Sequence, residues 1–280
     1  MKKTIIVIAV VLLGAGALAY PGVSDYLSRI NGSEIVQDYS KKVSELDEAT
    51  KGRLRAEAES YNEMLAGYIM QEPPARGAAD AALPVRYEPT LNIGGVMGYV
   101  EIPKIEVHLP IYHGTGDDVL NKGAGHLEGT ALPIGGIGRH SVITGHSGLV
   151  HAKMFSDLQD LAAGDLFYIH VLGETLAYEA VDILVVEPDA ADELAPFAGK
   201  DYCTLLTCTP YGVNTHRFLV RGERVEYIPE VKAAIQQIKE SGVDNTVARV
   251  AIITTSVMLL FVGMAIAVSG RRMRRRAPTA

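Results

Sequence analysis

The sequence predicts a mostly β domain, preceded by helices and bounded at both ends by apolar segments. Three observations predict it. Runs rich in β-branched and aromatic residues follow one another from position 98 to position 227, separated by glycine-rich turns. Helical periodicity is concentrated in the residues before them. Both ends carry uncharged apolar runs beside basic clusters. Many short strands with tight connections argue for a sandwich or a barrel.

Each element follows from local chemistry. Lys2-Lys3 and the apolar run Thr4 to Ala19, which ends in Ala17-Leu-Ala19, read as a signal peptide or an N-terminal membrane anchor over residues 1–20. Both readings export the domain that follows. Residues 21–70 form a juxtamembrane helical region. Within it Val36, Tyr39, Val43, Leu46, Leu54, Tyr61, Leu65 and Tyr68 recur near helical spacing, which predicts one or two amphipathic helices packed on the domain. Residues 71–92 change character, with Pro73, Pro74, Pro84 and Pro89, and read as a linker or a functional loop.

The strands are predicted at 98–102, 107–112, 141–144, 166–171, 175–186, 202–207 and 218–227 within a domain spanning 93–228. One short helix is expected from Lys153 to Leu161, and another from Val231 to Glu240 in a linker covering 229–248. Residues 249–270 contain Val250 to Ser269 without a charge, long enough for a transmembrane helix. The tail 271–280 holds Arg271, Arg272, Arg274, Arg275 and Arg276, which places the C-terminus in the cytoplasm and the domain outside.

The net charge of −7 conceals an asymmetry. Of 26 basic residues, eight lie in the terminal segments, where there is no acid; the remaining 18 face 33 acids, so residues 20–248 carry −15 by this count. A domain of that sign is a poor partner for nucleic acid. The two cysteines, Cys203 and Cys208, are five apart on one predicted strand and project to opposite faces, so they do not pair with each other. Cys203 reads as a small core residue and Cys208 as a free thiol in an oxidising compartment. The histidines show no tight metal spacing, and no metal or cofactor is expected.

Cys208 ends a strand, a turn-rich loop follows around Pro210 to Asn214, and Arg217 begins the next strand. A guanidinium beside a thiol favours the thiolate and can bind a developing oxyanion. The missing proton carrier is supplied by His146, in the turn Gly145-His-Ser-Gly148 after a strand. A thiol of pKa near 8.5 is only about 3% ionised at neutral pH, so mutual attraction between thiolate and imidazolium matters. These three groups together give acyl transfer, in which Cys208 attacks a carbonyl, His146 moves the proton and Arg217 stabilises the oxyanion or holds the substrate. Thr207 is a further candidate for orienting substrate, whereas His216 is expected to point to the opposite face and pack. By residue chemistry alone, hydrolysis fits as well as transfer to an amine.

The motif Thr204-Leu-Leu-Thr-Cys208 resembles the TLxTC signature of the sortases, Thr144-Gly-His146 resembles their histidine motif, and Arg217 falls where their catalytic arginine does. The runs from Gly199 to Arg217 and Met97 to Ile105 look like the class C, pilus-assembling branch. The resemblance implies a closed eight-stranded β-barrel. It also implies a cysteine transpeptidase that cuts an LPxTG-like sorting signal between Thr and Gly and joins it to a lysine amine of another pilin subunit. A membrane-bound, surface-exposed enzyme with pilin partners is thereby expected. Other readings are a sortase that anchors proteins to a wall-peptide amine, or a catalytically silent tethered domain. Class C sortases carry a lid with an Asp-Pro-aromatic motif. Residues 71–92 stand in its place without that motif; Glu72-Pro73-Pro74 is the nearest counterpart, and Asp80 has no proline or aromatic after it.

Overall fold

The computed structural model describes residues 2–69, 86–149 and 152–229. The lid candidates Glu72, Pro73 and Asp80, the expected helix 231–240, the apolar segment 250–269 and the arginine tail lie outside the described residues. The chain divides into two compact units, one of residues 1–19 with 230–280 and one of residues 20–229. In the first, residues 2–19 are the apolar beginning of helix α1 (Lys2–Glu45), and Val10, Leu12, Leu13 and Leu18 are exposed there. This helix is long and apolar enough to cross a membrane.

In the second unit, the rest of α1 and helix α2 (Glu48–Ile69) pack on a barrel. Of the stripe predicted from periodicity, Val36, Tyr39 and Val43 on α1 and Tyr61 and Leu65 on α2 are buried, Leu46 and Leu54 are half-buried, and Ala58 joins the buried face. Two polar anchors fix the docking. The Tyr39 hydroxyl donates to the Met97 carbonyl at 2.9 Å. Buried Asn62 brackets Leu132, accepting from its N–H at 2.7 Å and donating to its carbonyl at 3.3 Å.

The strands are β1 (Gly98–Ile102), β2 (Val107–His113), β3 (Ala124–His126), β4 (Arg139–Thr144), β5 (Leu166–Val171), β6 (Glu174–Val186), β7 (Asp201–Thr209) and β8 (His216–Val225). They close in the order β1-β2-β3-β4-β7-β8-β6-β5. All pairs are antiparallel except β2 with β3 and β4 with β7. Every expected strand is present, and β3 is the one that periodicity missed. It is three residues long and centred on Gly125, where an added Cβ would lie 2.2 Å from the Gly114 carbonyl oxygen. Its neighbours on either side, not its own propensity, make it a strand.

The helix expected at 153–161 is not formed. Turns lead instead to a single 3-10 turn at Leu158–Asp160. Met154 takes a positive φ of 43°, and the Phe155 N–H bonds the His146 carbonyl at 2.9 Å, a tertiary partner in place of a helical one. The three- and four-residue spacing of Met154, Phe155, Leu158 and Leu161 thus serves burial through turns. Within 71–92, the described end is packed: Tyr87, Thr90 and Leu91 are buried, and the Tyr87 hydroxyl lies 2.8 Å from His126 Nδ1.

Side chains alternate across the barrel wall. Ile143, Cys203, Leu205 and Val220 belong to the interior core, whereas Val142, Leu206 and Leu219 form a second cluster outside. That outer cluster is covered by the crossover 187–200, which leaves β6 and returns to β7, with Leu194 packed on it. Arg221 pins the crossover: it donates to the Glu193 carbonyl at 2.8 Å, pairs with Asp182 and Glu193 at 2.9 Å, and stacks on Phe197 at 4.9 Å. His140 adds a second pin, with Nδ1 2.9 Å from the Ala195 carbonyl and Nε2 2.7 Å from Thr204 Oγ1. A carbonyl only accepts, so Nδ1 carries the proton and the Thr204 hydroxyl donates to Nε2.

Replacing Asn62 with Ala leaves the Leu132 N–H and carbonyl without these partners; a loss of about 1–3 kcal/mol is expected in urea unfolding. Burial pushes His126 and His140 down to about 4. Below the ordinary value of 6.5, the unfolded chain binds protons that the folded one does not, so stability falls as pH drops from 6.5 towards 4. Burial raises the Asp201 carboxyl, which acts in the opposite sense and offsets part of the effect at the acid end. Thermal unfolding midpoints should decline over that window, and less steeply in His140→Gln.

Candidate active site

The site grows from the pairing of β4, β7 and β8. Parallel register sets Val142 beside Thr204 and Thr144 beside Leu206, and antiparallel register sets Thr204, Leu206 and Cys208 opposite Arg221, Leu219 and Arg217. The outer face therefore carries successive rows. Val142, Thr204 and Arg221 form one, and Thr144, Leu206 and Leu219 the next.

The same pairing continues past the end of β4. The Gly145 N–H donates to the Leu206 carbonyl at 3.0 Å, and the Ser147 hydroxyl donates to the Cys208 carbonyl at 2.6 Å. His146 lies between these two bonds and so beside Cys208, which is the register partner of Arg217. Sequence reasoning nominated these three residues, and the fold brings them to one rim of the barrel. All three are partly exposed.

Local sequence fixes this corner. An added Cβ on Gly145 would sit 2.6 Å from the Phe155 ring, so only glycine admits the ring that closes the barrel mouth under His146. Thr207, the other nominated residue, is buried and donates to the Gly145 carbonyl at 2.7 Å. Its hydroxyl hydrogen is committed to the strand that carries His146. Arg217 Nη1 donates to the carbonyls of Asn214 and His216 at 3.2 and 3.1 Å, which folds the guanidinium back over the β7–β8 turn.

Three placements depart from expectation or were missed. His216 does not pack; it is partly exposed, with Nε2 3.3 Å from Glu187 Oε1. Asp117 stands in a short helix, α3 (Asp117–Leu120), with Oδ1 4.0 Å from His146 Nε2 and its side chain 94% exposed, so solvent screens the pair. Ser147, Ser156, Gln159 and Tyr211 line a small open pocket together with Thr207, Cys208, Thr209 and Phe218. Ser147 could have been found next to the histidine motif; the others had no local signal.

Cys203 is fully buried in the core, and burial pushes its thiol well above the usual range. Among the described residues no group of three or more His, Cys, Asp or Glu could hold a metal ion. Gly145→Ala should displace Phe155, cost about 1–3 kcal/mol of stability and slow reaction at Cys208. Thermal unfolding together with the rate of thiol modification checks both effects.

A family model described as the sortase domain matches residues 100–225. Sortase A of Bacillus anthracis is 24% identical over 227 residues, which cover 79% of this chain and 94% of that protein. Among solved structures, sortase C-1 from Streptococcus pneumoniae is 44% identical, with a TM-score of 0.62 over 70% of this chain and 100% of that one. A lid mutant of Streptococcus agalactiae sortase C1 is 38% identical, with a TM-score of 0.64 over 70% and 99%. The barrel, its strand order and these likenesses agree: the chain belongs to the sortase family of cysteine transpeptidases.

Proposed function

We propose that this protein is a class C, pilin-polymerising sortase, in which Cys208 is the nucleophile, His146 the proton carrier and Arg217 the oxyanion or substrate cation. The observation that carries the reading is the shared rim of β4, β7 and β8, where a thiol, an imidazole and a guanidinium occupy adjoining strand ends. Cys208 attacks the Thr carbonyl of an LPxTG-like sorting signal, and His146 protonates the departing glycine amine. The thioacyl-enzyme then waits for a lysine amine of another pilin subunit.

The pilin partner is supported by likeness to sortase C-1 of Streptococcus pneumoniae and to a pilus-related sortase C of Group B Streptococcus. The lid reading of residues 71–92 is supported by likeness to a sortase C1 whose lid was mutated. Membrane attachment is supported by α1, and an outward-facing domain with a cytoplasmic C-terminus by the arginines after position 270.

Incubating the full chain with a sorting-signal peptide should give an acyl adduct on Cys208, visible by mass spectrometry and absent in Cys208→Ala. His146→Ala and Arg217→Ala should each lower adduct formation by about 10²-fold or more while leaving the unfolding midpoint unchanged. Transfer to a lysine-bearing pilin domain supports the reading; exclusive coupling to a wall-peptide amine identifies an anchoring sortase instead. A thiol-reactive probe should label Cys208 far faster than Cys203. Equal slow labelling of both, also after deletion of residues 71–85, which spares the buried Tyr87, Thr90 and Leu91, indicates a silent domain.

A further inference from the structure

The turns that replace the expected helix after Lys153 are held by a residue from far up the chain. Starts of helices and turns favour Ser, Thr, Asp or Asn, whose side chains close the first free N–H groups. Here the residue before Lys153 is Ala152, which has no side-chain acceptor. The acceptor comes from α1 instead: Asp25 Oδ1 receives the Lys153 N–H at 2.7 Å. Around this bond, Arg29 Nε lies 3.3 Å from Asp25 Oδ2 and Arg29 Nη1 3.6 Å from Glu106 Oε2, while Lys153 Nζ donates to the Ile105 carbonyl at 3.4 Å. The Arg29 and Glu106 side chains are 45% and 58% exposed, so solvent screens the ion pairs and the bond from Asp25 to the backbone is the firm one.

Two further bonds carry this hold to His146. The Phe155 N–H donates to the His146 carbonyl at 2.9 Å, and Ser156 Oγ accepts from the Gly148 N–H at 3.1 Å. The Phe155 ring is fully buried and fits against Gly145, where an added Cβ would meet it at 2.6 Å. On its other side the same loop is tied to β7, through the Gly145 N–H on the Leu206 carbonyl and the Ser147 hydroxyl on the Cys208 carbonyl. His146 is thus set between β7 and a turn whose first N–H belongs to Asp25. Where that turn lies decides how the imidazole meets the thiol.

We propose that Asp25 is a positioning residue of the active site, which by accepting the Lys153 N–H fixes the turn that aims His146 at Cys208. The inference rests on the transpeptidase reading above and adds to it a residue on the helix that also carries the apolar span. Asp25 acts through the place of its oxygen and not through its charge, because a backbone N–H is satisfied by a carboxylate or an amide oxygen alike. Misplacing reacting groups by about 1 Å can cost about 10²-fold in rate, so a small shift of the turn reaches proton transfer without unfolding the barrel.

The test measures kcat and KM for cleavage of a sorting-signal peptide by the full chain in detergent micelles. Asp25→Ala removes the acceptor, and kcat should fall about tenfold with KM unchanged. Asp25→Asn keeps an oxygen in the same place and should retain the rate of the unmodified chain. Asp25→Glu keeps the charge beside Arg29 but moves the oxygen by one methylene, and kcat should fall several-fold; this variant decides the case if Asp25→Ala is unfolded at the assay temperature. An unchanged kcat in the deciding variant, an equal loss in Asp25→Asn, or a rise in KM in place of the fall in kcat overturns the inference. Failure of the unmodified chain to cleave the peptide overturns the transpeptidase reading and this inference together, an outcome distinct from normal cleavage with unaffected variants.

Discussion

The parallel pairing of β4 with β7 is the constraint on which the rest of the structure depends. Its register places Thr144 against Leu206, and two further bonds, from Gly145 and Ser147, carry the alignment beyond the last strand residue. A slip of one residue would turn every side chain to the other face. Cys208 and His146 would then no longer share a rim, and Cys203 would leave the core. Antiparallel β8 on the far side of β7 is bound by the same rule and delivers Arg217 opposite Cys208.

Parallel neighbours need a long connection, and the barrel puts that length to use. Between β4 and β7 the chain builds β5 and β6 and then crosses over the outside through residues 187–200. This crossover buries Val142, Leu206 and Leu219 under Leu194, and the Arg221 and His140 contacts prevent it from lifting away. Thr204, the first residue of the cysteine motif, is therefore structural, because its hydroxyl fixes the His140 ring that holds Ala195. Thr207, three residues later, holds the Gly145 carbonyl on the opposite face. One motif thus ties both surfaces next to the thiol.

The two cysteines show how burial divides labour between identical groups. Cys203, fully enclosed beside Asp201 and Tyr178, is held as the neutral thiol by desolvation. Cys208, five residues along and on the other face, stands partly exposed, with Arg217 as its cross-strand register partner and the Ser147 and Ser156 hydroxyls among the groups lining the pocket it shares. Reactivity requires access as well as a stabilised thiolate.

By itself the sequence determined a domain of many short strands, most of the amphipathic stripe of both helices, the alternation separating Cys203 from Cys208, and the nomination of Cys208, His146 and Arg217, while the choice of a closed barrel over a sandwich came from the resemblance to the sortases. Each is a local pattern: a period, a turn composition or a short motif. What only the tertiary structure decided depends on distant neighbours. β3 is a strand because β2 and β4 flank it; the segment 153–161 gives up its helix because Phe155 must reach Gly145 and the His146 carbonyl. His216 meets Glu187 instead of packing, and Ser156, Gln159 and Tyr211 become pocket walls, because chain closure into a barrel joins loops that no spacing in the sequence relates.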